Sequence, residues 1–126
     1  SLLQMTNNDG DTPLHFASYR NHIDIMEVIH ESVTQTQWMN LLLMTGSIEM
    51  TVLQHAVYLN TLSSIETIRD SVSDEEWLQL VSTPLPEYNQ WDHDNDRYQR
   101  AVSRIDEMRV AARVKSVLQT ENNSGM

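Results

Sequence analysis

Five histidines, eighteen carboxylates and eight Lys or Arg residues are the groups in this 126-residue chain that could do chemistry, and their spacing decides whether they do. His15 has the type of a general base. No nucleophile motif accompanies it, and the chain holds no Gly-x-Ser-x-Gly. His22, His30, His55 and His93 fall into no His-Glu-x-x-His or comparable ligand spacing, which leaves a zinc hydrolase unsupported. Asp92-His93-Asp94-Asn95-Asp96 resembles the first half of a calcium loop. The sixth position, which needs Gly, is Arg97, and the twelfth, which needs a bidentate Glu, is Ser103. The segment therefore reads as a solvated acidic turn that caps the next helix. Arg97, Arg100 and Arg104 lie on one helical stripe that could grip phosphate, but they read as a solvated charged face. With no cysteine, thiol nucleophiles, disulfides and Cys-based zinc sites are excluded. These observations predict no catalytic residue, no metal site and no cofactor.

Net charge is −10 and unevenly placed: residues 1–96 carry fifteen acids against Arg20 and Arg69, while the remainder is net positive. An acidic body repels nucleic-acid phosphate and anionic lipid, so neither is an expected partner. The longest wholly apolar run, Leu41 to Met44, is far short of the roughly 20 residues that span a bilayer. Forty per cent hydrophobic against 21% charged residues is the composition of a folded globular domain. The opening Ser1-Leu2-Leu3-Gln4 reads as an excerpt from something longer, without a signal peptide and intracellular.

What positions these residues is a repeat. Sliding the sequence by 39 residues pairs fourteen identical residues without a gap, among them Thr12/Thr51, Leu14/Leu53, Ala17/Ala56, Tyr19/Tyr58, Asn21/Asn60, Ile29/Ile68 and Trp38/Trp77. Chance pairing would give about two or three. In each unit a turn precedes two helices. Asn8-Asp9-Gly10-Asp11 is turn chemistry, Thr12 an N-cap and Pro13 a first helical residue without an N–H to lose. Leu14, Ala17 and Ser18 form the packed face of the first helix. Asn21-His22 breaks it, and Ile25, Met26, Ile29 and Val33 follow at helical spacing. Neither helix can bury its apolar side within one unit, so the units must stack into a solenoid with a shared core. Most methionines, Met5, Met26 and Met44 included, fall at repeated or apolar-face positions and read as core.

The run Gly10-Asp11-Thr12-Pro13-Leu14-His15-Phe16-Ala17 resembles the helix-opening signature of ankyrin repeats, with Asn21-His22 standing where that family usually has Gly-His. The second unit departs further, reading Thr51-Val52-Leu53-Gln54-His55-Ala56. Both units exceed the family's usual length through a linker ending in tryptophan, read as an extra helical turn that buries Trp38 and Trp77 between units. The resemblance implies an all-α, ankyrin-type helix-turn-helix solenoid: two full repeats plus a degenerate C-terminal repeat or cap. One domain over 1–126 divides into the end of a preceding linker and turn (1–11), repeat 1 (12–50), repeat 2 (51–89), a degenerate repeat or cap (90–120) and a disordered tail (121–126). In the 90–120 segment Tyr98, Ala101, Val102, Ile105 and Met108 share one face, and Val110, Ala111, Val114, Val117 and Leu118 lie on nearly the opposite one. A turn near Asp106 to Met108 is the expected explanation.

The resemblance also assigns roles. It gives His15 hydrogen bonds that tie the helix start to neighbouring turns. It implies a non-enzymatic scaffold for protein–protein interaction whose concave face exposes Asn8, Asp9, Asp11, Tyr19 and Arg20 in the first unit and Ser47, Ile48, Met50, Tyr58 and Leu59 in the second. Tyrosine supplies rigid contact area with a hydrogen-bonding tip, which favours Tyr19 and Tyr58. Ile48, Met50 and Leu59, if exposed, form an apolar patch. The alternative is a structural or regulatory segment that packs on another domain of a larger protein. Two units and a cap are near the minimum for a solenoid, so end-to-end self-association is expected.

Overall fold

The computed structural model describes residues 5–8, 10–46, 49–87 and 95–124. Its elements there are seven helices: α1 (Pro13–Tyr19), α2 (Ile23–Glu31), α3 (Gln35–Leu43), α4 (Val52–Leu59), α5 (Leu62–Asp70), α6 (Asp74–Ser82) and α7 (Asn95–Ser124). Helices α1 to α3 form one unit and α4 to α6 its copy 39 residues on. The linker that the sequence suggested was a single extra turn is in each unit a whole nine-residue helix.

Local chemistry sets these boundaries twice over. Thr12, Thr34, Thr51 and Ser73 each cap a helix with the side-chain oxygen on the N3 amide, while the N3 side chain returns to the cap amide. The first and second helices of each unit are separated by an asparagine in the left-handed region, Asn21 (φ 57°) and Asn60 (φ 58°). The same reversal bonds close both turns, from His22 N–H to the Ala17 carbonyl and from Thr61 N–H to the Ala56 carbonyl. Upstream of each first helix the turns also coincide: Gly10 and Glu49, 39 residues apart, both have positive φ.

The core runs through both units. Leu14, Met26 and Trp38 of the first and Leu53, Ile68 and Leu80 of the second are buried. Trp38 and Trp77 are both buried, and Trp38 Nε1 donates to Ser71 Oγ at 2.8 Å, so the linker helix of one unit is bonded to the next.

Helix α7 closes the second unit. It runs from Arg97, stacked 5.6 Å above the Tyr58 ring near the C-terminal end of α4, to Lys115, paired with Asp74 at the start of α6. Its own Ala101 and Ile105 are buried against the second unit. The expected turn near Asp106 to Met108 is absent: α7 is continuous, and its helix extends through residues 121–124, expected to be a disordered tail. The change of apolar phase has another cause. The first half of α7 is apolar where it meets α4 and α6, and the second half places Val110, Val114, Val117 and Leu118 on an exposed opposite stripe. A single helix therefore stands where a third helical pair was one expectation.

Candidate partner-binding surface

The ten residues expected to form a concave surface do not stay together. Asp9, Ser47 and Ile48 lie outside the described residues. Asn8 and Arg20 are exposed, and Tyr19 and Leu59 are half-buried. Asp11, Met50 and Tyr58 are buried, contrary to the expectation that they face solvent. Asp11 and Met50 are equivalent positions, the last residue of the turn before the cap, and in both units this residue folds under the turn. Backbone bonds from Asn7 N–H to the Asp11 carbonyl (3.0 Å) and from Gly46 N–H to the Met50 carbonyl (2.8 Å) hold it there. Tyr58 is covered because α7 lies across it. Of the apolar patch expected from Ile48, Met50 and Leu59, Met50 is in the core, Leu59 packs half-buried against it, and Ile48 lies outside the described residues.

What remains accessible is an ordered cluster on the first unit. The Tyr19 hydroxyl donates to Asp11 Oδ2 at 3.2 Å. The Phe16 and Tyr19 rings meet edge to face at 5.4 Å, and the Arg20 guanidinium lies 4.7 Å from the Phe16 ring centre. Phe16 is 41% exposed. Sequence reading missed it because the motif Pro-Leu-His-Phe-Ala reads as helix opening, yet its spacing of three and four from Tyr19 and Arg20 puts the three on one helical face.

His15 is held at both ends. Its Nδ1 accepts from Thr12 N–H (3.2 Å) and lies 2.8 Å from Thr12 Oγ1, and Nε2 sits 2.9 Å from the Met44 carbonyl oxygen. A carbonyl can only accept, so the proton is on Nε2 and the ring is neutral. Burial pushes the His15 pKa below its ordinary value, against the opposing pull of the Met44 carbonyl. A ring with both nitrogens so committed ties the helix start to the next turn and has no free nitrogen for proton transfer. The His55 ring packs nearby, 6.2 Å from His15 and 5.6 Å from Tyr19. Among the described residues no three His, Cys, Asp or Glu side chains gather as metal ligands, and no helix is long and apolar enough to cross a membrane. Asp92, His93 and Asp94 lie outside the described residues.

A groove not expected from sequence lies between the second unit and α7. It encloses about 1040 Å³ and is walled by Val57, Tyr58, Leu59 and Asn60 on one side and by Arg97, Arg100, Ser103 and Arg104 on the other.

Residues 1–30 match the family model described as ankyrin repeats (many copies). Neither the curated proteins nor the solved structures contain a match to this chain.

Proposed function

From the premise that this chain is an ankyrin-type helical repeat, we propose that it is a non-enzymatic binding module that holds a protein partner on the turn and inner helix of its first unit. Ankyrin repeats are generally protein–protein interaction modules and typically non-enzymatic. The observation that carries the reading here is the Phe16–Tyr19–Arg20 cluster. Aromatic residues and arginine dominate binding hot spots, and these three are already fixed by the Asp11 hydrogen bond and by stacking. Asn8 and Asp9 of the adjacent turn complete the proposed surface. Of the second unit's candidates only Ser47 and Ile48 stay in the proposal; Met50 and Tyr58 are buried and Leu59 packs half-buried against the core, so they are not part of it. An acidic body around Arg20 favours a partner of mixed or basic charge.

The test is photo-crosslinking from a benzoylphenylalanine placed at position 20, compared with one at Ser63 on the outer helix, in an extract containing candidate partners. A protein trapped only from position 20, and lost on Phe16→Ala, supports the reading. Equal trapping from both positions removes it.

A second reading rests on a different observation. Phe16, Ile25 and Val28 are exposed, whereas their counterparts His55, Ser64 and Thr67 are buried or half-buried in the second unit. The first unit therefore presents a stacking surface to a further repeat or domain, as a structural segment would. Ile25→Asp with Val28→Asp separates the two: it abolishes domain packing and leaves binding at Tyr19 and Arg20 intact.

A further inference from the structure

The joint between the two units provides a template for the groove beside α7. In that joint Asn21, held in the left-handed conformation, accepts through Oδ1 from both Ser64 N–H (3.1 Å) and Ser64 Oγ (2.9 Å). Ser64 Oγ also lies 2.7 Å from the Ser18 carbonyl oxygen. Ser64 is the third residue of α5, so the first turn of the second unit's outer helix is seated on the α1–α2 reversal of the first.

The same seat exists one unit later. Asn60 has the conformation of Asn21, and its N–H bonds the Val57 carbonyl at 3.1 Å as Asn21 N–H bonds that of Ser18 at 3.0 Å. Asn60 is exposed and, with Val57, lines the groove. In a third unit an outer helix would rest here. Because α7 is one continuous helix, it supplies no such element, and it walls the seat with Arg97, Arg100 and Arg104 against Asp96 and Glu107. In a chain of net charge −10 this is a locally cationic wall.

We propose that the groove seats the first turn of a helix from a protein partner. A Ser or Thr at that helix's third position bonds Asn60 Oδ1 and the Val57 carbonyl, and acidic side chains face Arg100 and Arg104. Acidic residues are favoured in the first turn of a helix by its dipole, so the charge requirement and the docking geometry select the same end of the partner. A second copy of this chain does not fit. Of α1 to α6 only α5 carries a hydroxyl at its third position, and that residue is already seated on Asn21. The proposal concerns the end of the array away from Phe16, Tyr19 and Arg20, and stands or falls separately from the reading of that surface.

The probe is a stapled helical peptide with the sequence of residues 61–72, carrying Ser63→Glu to place an acid in its first turn, Arg69→Glu and a fluorophore, titrated into the full 126-residue chain by anisotropy and by amide chemical shifts. Binding with a dissociation constant of about 10–100 μM is expected, with shifts at Asn60 and Ser103. Replacing the peptide serine equivalent to Ser64 by Ala, or Asn60→Gly in the chain, should weaken it at least fivefold. Glycine keeps the left-handed backbone, so the latter variant retains the fold. Arg100→Glu with Arg104→Glu should weaken binding at least tenfold. Four results overturn the proposal: no binding at 1 mM; affinity unchanged in Asn60→Gly with shifts at Ser18 and Asn21, meaning the peptide displaces α5; inorganic phosphate alone reproducing the shifts; or a dimer of the chain that Asn60→Gly dissolves.

Discussion

Gln54 makes in the second unit the same pair of hydrogen bonds that His15 makes in the first. Its Oε1 accepts from Thr51 N–H at 3.0 Å and its Nε2 donates to the Thr83 carbonyl at 3.0 Å, as His15 bridges Thr12 and Met44. The amide reproduces the acceptor and donor of a neutral imidazole in one fixed orientation. The role of this position is to link a helix start to the following turn, and the substitution at Gln54 shows that it needs no titrating group.

His15→Gln should therefore fold normally and keep stability at pH 7.5 within about 1 kcal/mol. The pH profile should change. In the folded chain the His15 pKa lies below its ordinary value, so as pH falls below about 6.5 the unfolded chain takes up the proton first. The stabilisation is fully present above that pH and is lost progressively on acidification toward the folded pKa. Urea unfolding at pH 7.5 and 5.0 should show a smaller loss of stability for His15→Gln than for the parent. An identical loss means that His15 does not carry it. His15→Ala, which strands the Thr12 amide and the Met44 carbonyl, should cost about 2–4 kcal/mol at either pH.

Gly46 is fixed by close approach between units. A Cβ there would collide with Asp11 Oδ1 and sit 2.8 Å from His15 Cδ2. Gly46→Ala should destabilise by about 1–3 kcal/mol, read as a shifted denaturation midpoint. At the equivalent Asn7 a side chain is accommodated, and its Oδ1 accepts from Asp11 N–H at 3.1 Å.

Glu49 adopts φ 60° where its counterpart is Gly10 at φ 86°. A side chain in that region costs about 1–2 kcal/mol, partly offset by the greater freedom of an unfolded glycine. Glu49→Gly should raise stability by roughly 0.5–1 kcal/mol in thermal unfolding. Gly10→Ala should lower it through the backbone, since among the described residues beyond its chain neighbours no atom lies within 4 Å of its would-be Cβ.

Ile105 anchors α7 on the second unit. Ile105→Ala should cost about 2–4 kcal/mol and speed amide exchange along α7 before it affects α1 and α2. Uniform loss of protection across both units would mean that α7 is no separate clamp.

Much of the fold could be read directly because it is local and repeated. Thr12 and Thr51 start helices, Asn21 and Asn60 reverse them, and fourteen identities at a 39-residue offset require that two units share one architecture. The capping pairs Thr34-x-x-Gln37 and Ser73-x-x-Glu76 are local signals for full helices at α3 and α6. The surface was harder. Burial of Asp11 is decided partly by Gly46 of the neighbouring turn, and burial of Tyr58 by a helix about 40 residues downstream, relations that no local pattern encodes. In α7 the apolar phase shift marks two environments along one helix and not a break.

The most direct test of the account is the affinity of the partner trapped at position 20, measured by calorimetry for the parent chain and three double variants. Phe16→Ala with Arg20→Ala should weaken binding at least tenfold, about 1.4 kcal/mol, while Ser63→Ala with Thr67→Ala on the outer helix leaves it unchanged. An unchanged affinity in the first variant, or a loss confined to Ile25→Asp with Val28→Asp, contradicts a binding surface on the inner helix of the first unit.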